Sequence, residues 1–272
     1  LDALKELALE ETHQVIFTTH NPILAGRVDR DSIRFIEKDE TGSRILAEND
    51  DETLLRIKSS LGMFANHNIK VFVGVEGPND IEYISGISWR LSQEDPSIVN
   101  LKRSEQRGEL VYIPMGGSTL ELWTNRLEGL QVPEVHVLDR DVPPPEPAKY
   151  QGAADRVNAR GDNCRSFITN KREMENYIHF EAINEEFEIQ LTENFQAFDD
   201  VPVMVAKAVH DASQSTVDWE DLDEKKRDKK ESKAKKRLNR AAVSNMTKVR
   251  LDSADPDGEV LTWLREISRH LL

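Results

Sequence analysis

The chain has 272 residues, with 36 Lys or Arg against 50 Asp or Glu, so its formal net charge at pH 7 is −14. Such an acidic chain is not expected to coat nucleic acid by bulk charge, although it can still carry local basic patches. The single cysteine, Cys164, excludes an internal disulfide framework and a cysteine-rich zinc site. No apolar run approaches the ~20 residues of a membrane span, so we expect a soluble, cytoplasmic protein with no membrane partner.

Residues 1–66 form the first predicted region. An amphipathic helical pattern opens the chain without an initiator Met, and the strand-like run QVIFTTH follows at residues 14–20. Residues 32–37 and 43–47 are predicted to pair as a hairpin across the turn DETG. This opening predicts that the chain is the C-terminal fragment of a longer protein.

Strands and helices alternate over residues 69–180. The predicted strands are IKVFVGVEG, LVYIPMGG, EVHVLDRD and RSFIT, and helices predicted over residues 79–91, 120–127 and about 153–159 separate them. Short apolar runs that alternate with helices predict an α/β fold, with a mostly parallel, Rossmann-like sheet covered by helices on both faces. Residues 181–272 are rich in helical patterns and predict a helical C-terminal subdomain.

Acidic residues follow three of the predicted strands. Glu76 ends the first strand, with Asp80 four residues later at the start of the next helix, and Asp139 and Asp141 end the third. Ligands of open α/β sheets bind outside the carboxyl ends of the strands, so these carboxylates are expected to converge. Because Asp139 and Asp141 are two residues apart, they should project from the same face of a strand.

Two further carboxylates, Glu173 and Glu175, follow the fourth strand at the same edge. Without a cation, so many carboxylates around one crevice would repel each other. Oxygen ligands with no interleaved Cys or His favour Mg²⁺ or Mn²⁺ over zinc. Any one acid alone could equally cap a helix or solvate a turn, but acids after three different strands favour a metal site.

Glycines end the second predicted strand. Gly116 and Gly117, followed by Ser118, precede a predicted helix. Glycines let the backbone approach a phosphate closely, and a helix N-terminus favours the negative charge of that phosphate. This turn is therefore a candidate contact for a phosphate backbone, with an ordinary loop as the alternative.

Four motifs, in this order, resemble the Toprim domain of topoisomerases and primases, in the variant of the OLD (overcoming lysogenization defect) family of ATP-dependent endonucleases. They are EGPND at residues 76–80, GG at 116–117, DRD at 139–141 and REMENY at 172–177. The resemblance implies a Toprim nuclease domain over residues 69–180, completed by a helical appendage over 181–272. It also implies that residues 1–66 are the tail of an ABC-type ATPase domain.

The segment TTHNP at residues 18–22 looks like the switch segment of such an ATPase, in which His20 would sense the nucleotide. The alternative is a histidine that caps the end of a strand. The sequence has no GxxxxGK[ST] phosphate loop. ATP is therefore expected as a cofactor of the full-length protein only.

The same resemblance implies two Mg²⁺ or Mn²⁺ ions, which would support an in-line displacement at a phosphodiester. Their expected ligands are Glu76, Asp80, Asp139, Asp141 and one or both of Glu173 and Glu175. Glu76 could instead act as a general base. Lys248, in NMTKVRL, is the best match to a catalytic lysine that the family carries close to the C-terminus.

The implied function is that of a metal-dependent DNA endonuclease, used in phage defence or DNA processing. DNA is the expected partner, and a homodimer is expected through the missing ATPase domain. A catalytically inactive module, or a topoisomerase- or primase-like one that binds nucleic acid, is the alternative. The basic run at residues 221–240, DLDEKKRDKKESKAKKRLNR, fits either a solvated helix or a contact to DNA phosphates.

Overall fold

The computed structural model describes most of the chain from residue 69 onward and a few segments before it. The described residues are 8, 14–18, 32, 34–39, 42–46, 69–116, 120, 124, 127–130, 132–161, 163–213 and 215–272. The chain divides into two compact units, residues 1–68 and 69–272. We describe each unit by itself.

The described strands of the first unit form an antiparallel hairpin. Strand β1 is Phe35–Asp39 and strand β2 is Gly42–Leu46, with Phe35 opposite Leu46. The predicted hairpin is confirmed, although β1 begins three residues later than predicted. Residues 14–18, which were predicted to be in a strand, adopt no regular secondary structure.

The second unit is built on a four-stranded, all-parallel sheet with the strand order β4-β3-β5-β6. The strands are β3 (Val71–Val75), β4 (Leu110–Pro114), β5 (Glu134–Leu138) and β6 (Cys164–Ile168). The central strands β3 and β5 are buried at every residue, whereas the edge strands are buried only in part. Burial on both faces explains why β3 is apolar throughout rather than alternating.

Three α-helices that the structure describes over their whole length lie between the strands in sequence: α1 (Pro78–Leu91), α2 (Leu101–Gln106) and α3 (Gln151–Asn158). Helix α1 begins with Pro78 in its first turn, where the missing N–H is not needed, and Asp80 follows in the same turn. The helix predicted over residues 120–127 falls largely outside the described residues; those that are described, Leu120, Thr124 and Leu127, are helical.

Helices dominate the rest of the unit. They are α4 (Phe180–Phe187), α5 (Val201–Ala212), α6 (Glu224–Arg237), α7 (Lys248–Ala254) and α8 (Glu259–Leu271), with 3₁₀ turns at Met174–Tyr177 and Trp219–Asp221. A π-helical segment, Leu238–Ala242, continues α6. The predicted α/β fold with a helical C-terminal part is confirmed.

One hydrophobic core joins the sheet to the helical part. It contains Val73 of β3, Tyr83 of α1, Leu238 after α6 and Trp263 of α8, all of them buried. The helical residues therefore hold their side chains in fixed positions relative to the sheet. Among the helices that the structure describes, none has the length and apolar character needed to cross a membrane.

Candidate active site: an acidic crevice at the carboxyl edge of the sheet

The first two site residues follow neighbouring strands. Glu76 follows β3 and Asp139 follows β5, and these strands pair in parallel. The backbone N–H of Asp139 donates to Glu76 Oε1 across 2.9 Å. This bond fixes the Glu76 carboxylate at the carboxyl edge of the sheet, as predicted from the sequence.

Asp80 lies in the first turn of α1. Its Oδ2 accepts a hydrogen bond of 2.8 Å from the backbone N–H of Gly77, the residue that caps the helix. The side chain is only 5% exposed. The helix-capping role that the sequence offered as an alternative is therefore real, and it also holds the carboxylate in the crevice.

Asp141 reaches the same crevice by a route that the sequence did not predict. Strand β5 ends at Leu138, so strand alternation does not relate Asp141 to Asp139. Asp141 has a positive φ of 62°, in the left-handed region, and its N–H donates to the Arg172 carbonyl across 3.0 Å. The turn of the backbone, rather than a shared strand face, directs both carboxylates to one place.

Gly116 brings the loop after β4 against the end of β3. Its N–H donates to the Glu76 carbonyl across 2.8 Å, and a Cβ atom at this position would lie 2.4 Å from that carbonyl oxygen. Glycine is therefore required for packing beside Glu76. Gly117 and Ser118 lie outside the described residues, so the predicted phosphate contact stays a prediction.

The two glutamates after β6 have different environments. Glu173 lines the crevice, and the Lys235 Nζ of α6 lies 2.5 Å from Glu173 Oε2. Glu175 is 1% exposed, accepts a 2.6 Å bond from Asn239 Nδ2, and lies 3.6 Å from the same ammonium. Glu173 is thus the better placed of the two to meet a ligand, and Glu175 lies behind it.

These residues enclose an open crevice of about 260 Å³. Its charged lining consists of Glu76, Asp80, Asp139, Asp141, Glu173, Lys149 and Lys235. Lys149 Nζ lies 3.5 Å from Asp141 Oδ2 at the exposed rim. Five carboxylates and two ammonium groups therefore face one volume.

Burial and mutual repulsion raise the pKa of several of these acids. Burial, and then the charge of Asp141, raise the pKa of Glu76 to about 7. Burial also raises the pKa of Asp80, and it raises the pKa of Asp139 well above its ordinary value, with the charge of Asp80 adding to the effect. The crevice consequently carries negative charge that the protein compensates only in part.

Lys235 supplies part of that compensation. Burial alone would raise the pKa of Glu173, but the adjacent Lys235 ammonium holds it below the ordinary value. Burial would likewise lower the pKa of Lys235, but the charges of Glu175 and Glu173 raise it. Lys235 is therefore a permanent cation within the acidic site.

The donor set fits a divalent cation in its chemistry. Every acidic donor is a carboxylate, the type that Mg²⁺ and Mn²⁺ prefer, and Asp139 Oδ1 is buried without a hydrogen-bond partner. In the described part of the chain, however, no three Asp, Glu, His or Cys side chains converge closely enough to hold an ion as they stand. Binding would require rearrangement of side chains around Asp139.

Of the other predicted site residues, Lys248 is described by the structure and His20 is not. Lys248 opens α7, and its Nζ pairs with Asp252 one turn later at 2.8 Å and 2.9 Å. It does not line the crevice, and its catalytic assignment stays a prediction. His20 lies outside the described residues, so its nucleotide-sensing role stays a prediction.

Sequence reasoning missed Lys235 and Lys149. Lys235 belongs to a run of basic residues and was not distinguished from its neighbours. A helical projection carries the signal, because Lys235 adjoins the buried Ala234 and precedes the buried Leu238 by three residues, on the inward side of α6. Lys149 follows a proline-rich loop, and no pattern in the sequence marks it.

The fold and the crevice define an α/β domain with an acidic site at the carboxyl edge of a parallel sheet. No protein-family model matches the sequence, and no curated protein matches it. The chain is similar in structure to the C-terminal region of the Burkholderia pseudomallei OLD protein, at 14% identity and a TM-score of 0.42, over 74% of this chain and 98% of that one. The corresponding region of the Xanthomonas campestris pv. campestris OLD protein gives 16% identity and a TM-score of 0.41, over 75% and 97%. The likeness to both is one of fold.

Proposed function

We propose that the acidic crevice hydrolyses DNA phosphodiester bonds with the help of divalent metal ions. The observation that carries this proposal is the position of Asp139. Its Oδ1 is buried without a hydrogen-bond partner, in a crevice that four other carboxylates line. A buried, unpartnered carboxylate oxygen costs free energy that a bound cation would recover.

The residues divide into groups by position. Asp80, Asp139, Asp141 and Glu173 would hold the metal ions, which when bound supply Lewis-acid stabilisation of the attacking and leaving oxygens. Glu76 would accept the proton of the attacking water, since the Asp139 N–H fixes only one of its oxygens. As the water oxygen bonds to phosphorus, the P–O bond on the opposite side breaks.

Lys235 would stabilise the negative charge that develops on the phosphate. Its Nζ already faces Glu173, and a bound phosphodiester would present further oxygens to it. This assignment replaces Lys248 with a residue that lines the crevice. Lys149, at the exposed rim beside Asp141, would contact the backbone of the substrate.

The test compares the parent chain with Asp139→Asn on supercoiled plasmid in the presence of Mn²⁺ or Mg²⁺. We expect the parent to nick or linearise the plasmid and the variant to lose this activity by about 10²-fold or more. Mn²⁺ titration by calorimetry is the second readout, and the variant should bind the metal more weakly. A parent chain that neither binds Mn²⁺ nor cleaves would overturn the proposal.

One observation favours a second candidate, a module that binds nucleic acid without cutting it. Lys235 occupies space between Glu173 and Glu175 that a cation could otherwise use, and the described acids do not form a ready metal site. Such a module would bind DNA equally well with EDTA and with Mn²⁺. A nuclease would bind Mn²⁺ and cleave.

A further inference from the structure

The outward face of helix α6 carries charge that nothing within the described chain neutralises. The helix, Glu224–Arg237, has nine basic and three acidic residues, a net charge of +6 in a chain of −14. Five exposed side chains, which we call the lysine ridge, make no ion pair with any described residue. They are Lys225, Lys229, Lys230, Lys233 and Lys236.

Helical geometry collects the ridge on one side. At 3.6 residues per turn, its five lysines fall within an arc of roughly 140°. The acids of the helix, Glu224, Asp228 and Glu231, fall on the opposite side, and the described structure pairs none of them with the ridge. Basic residues that flank the ridge are paired, as in Arg237 with Glu186 and Arg240 with Glu82.

This arrangement costs the isolated protein some stability. Lys225, Lys229 and Lys233 follow one another at intervals of four residues, a spacing at which like charges destabilise a helix by a few tenths of a kcal/mol per pair. A glutamate at the same spacing would stabilise it instead. A surface that retains this repulsion is suited to a polyanion, which would remove it on binding.

The ridge is carried by the same helix that supplies Lys235 to the crevice. Lys235, on the inward side of the same helix, lies in the crevice, and its sequence neighbour Lys236 belongs to the ridge. A helix of 14 residues is about 21 Å long, and duplex DNA carries one charge per roughly 1.7 Å of its axis. The ridge can therefore follow a phosphate backbone that enters the crevice.

We propose that the lysine ridge of α6 is the surface that binds the phosphate backbone of double-stranded DNA and directs it to the acidic crevice. This inference rests on the proposed function for its choice of polyanion. The ridge carries no aromatic side chain that could stack on bases, so it contacts phosphates and reads no sequence. It offsets the repulsion that the acidic crevice exerts on DNA.

The test measures binding of a fluorescein-labelled 30-base-pair duplex by anisotropy, in EDTA, as a function of NaCl concentration. EDTA removes metal, so binding is observed without cleavage. The ridge variant is K225Q/K229Q/K233Q/K236Q; glutamine keeps a similar helix propensity, so the fold should be preserved. We expect affinity to fall by about tenfold or more at low salt, and the slope of log K against log [NaCl] to become shallower by about 1 per lysine.

A matched control removes the same charge elsewhere. K233Q/K236Q and K102Q/R103Q each remove two positive charges from exposed helix positions, the latter on α2. Only the α6 pair should weaken binding. Equal effects of the two pairs, no binding by the parent chain, or ridge-dependent binding to phosphatidylserine vesicles in place of DNA would each overturn the inference.

Failure of the nuclease proposal gives a different result. A parent chain that binds DNA through the ridge but does not cleave it with Mn²⁺ leaves the ridge standing and removes the proposed activity. If the parent cleaves and the ridge variants bind and cleave normally, the proposed activity stands and the ridge inference is removed.

Discussion

Lys235 Nζ lies 2.5 Å from Glu173 Oε2, although the two residues are 62 positions apart in the sequence. The contact joins α6 of the helical part to the loop that follows β6. It places a fixed cation among carboxylates that would otherwise repel one another. The helical part therefore contributes to the site itself as well as to the core.

Replacing Lys235 with Met should reduce plasmid cleavage by about 10²-fold or more, because the ammonium group that faces the phosphate is lost. Lys248→Ala should retain cleavage, since Lys248 pairs with Asp252 within α7 and does not line the crevice. Both variants are assayed on supercoiled plasmid with Mn²⁺. The opposite pattern would restore Lys248 as the catalytic lysine.

Lys235→Arg serves as the conservative control for this pair of variants. It keeps the positive charge but changes its geometry, so part of the activity should return. Mn²⁺ titration separates the role in charge stabilisation from a role in metal binding. If Lys235→Met and Lys235→Arg bind Mn²⁺ equally and are equally inactive, the exact position of the ammonium decides the rate.

The acidic residues at the ends of β3 and β5 could be predicted from the sequence. Buried apolar runs identify parallel strands, and parallel strands bring their carboxyl ends to one edge. Glu76, Asp139 and Asp141 accordingly line one crevice, as expected. For Asp141 the outcome was right but the reason was wrong, because a left-handed backbone, not a strand, directs it.

Contacts between distant segments could not be predicted in this way. Lys235 reaches the crevice only because Leu238, directly after α6, packs in the same hydrophobic core as the sheet. A single sequence records the helical phase of Lys235 but not which element its inward side meets. The same limit applies to Glu175, whose burial beside Asn239 depends on the segment that continues α6.

Asp139→Asn should stabilise the metal-free chain while it removes cleavage. The carboxylate is 6% exposed, and burial with the charge of Asp80 raises its pKa, so its ionised form destabilises the fold at neutral pH. We expect a gain on the order of 1 kcal/mol at pH 7.5 in EDTA, or about 2–4 °C in Tm. Thermal unfolding followed by circular dichroism measures it.

Asp155→Asn is the matched control for this gain. Asp155 is an exposed aspartate on α3, and its replacement should change stability by less than about 0.5 kcal/mol. Loss of stability in Asp139→Asn would mean that the carboxylate has a partner that offsets its burial. Retained cleavage would remove Asp139 from the active site.

The stability of the metal-free chain should fall as pH rises from about 4.5 to about 7. In this window folded Glu76, with its pKa raised to about 7, still holds a proton that the unfolded chain has released from a group of ordinary pKa 4.5. The folded state binds more protons, so the free energy of unfolding decreases with pH and levels off above 7 for this group. Tm values at pH 5.5, 6.5 and 7.5 in EDTA measure the slope.

Glu76→Gln should flatten this dependence, since glutamine does not titrate. Metal should act in the opposite sense: Mn²⁺ competes with the bound proton, so the increase in Tm that it causes should be larger at pH 7.5 than at pH 5.5. Equal pH slopes in the parent and in Glu76→Gln would show that Glu76 ionises normally.

A buried ion cluster at the other end of β5 should govern stability and leave cleavage unchanged. Glu134 is 1% exposed, its Oε2 lies 2.8 Å from His136 Nε2, and Arg160 Nη1 lies 3.0 Å and 3.1 Å from its two oxygens. Arg160→Met leaves a buried carboxylate short of its cation and should cost about 3–5 kcal/mol in urea unfolding. Glu134→Gln in the same chain should recover much of that loss, because no unpaired charge then remains.

Cleavage should persist in Arg160→Met because Glu134 opens β5 and Asp139 follows its far end, about 16 Å away at 3.3 Å per residue. Arg165→Met, at an exposed arginine of β6, is the control and should change stability by less than about 0.5 kcal/mol. A cost below about 1 kcal/mol for Arg160→Met would mean that water or His136 compensates Glu134. Activity lost in parallel with Asp139→Asn, at a temperature where the variant is folded, would mean that the cluster is coupled to the crevice along β5.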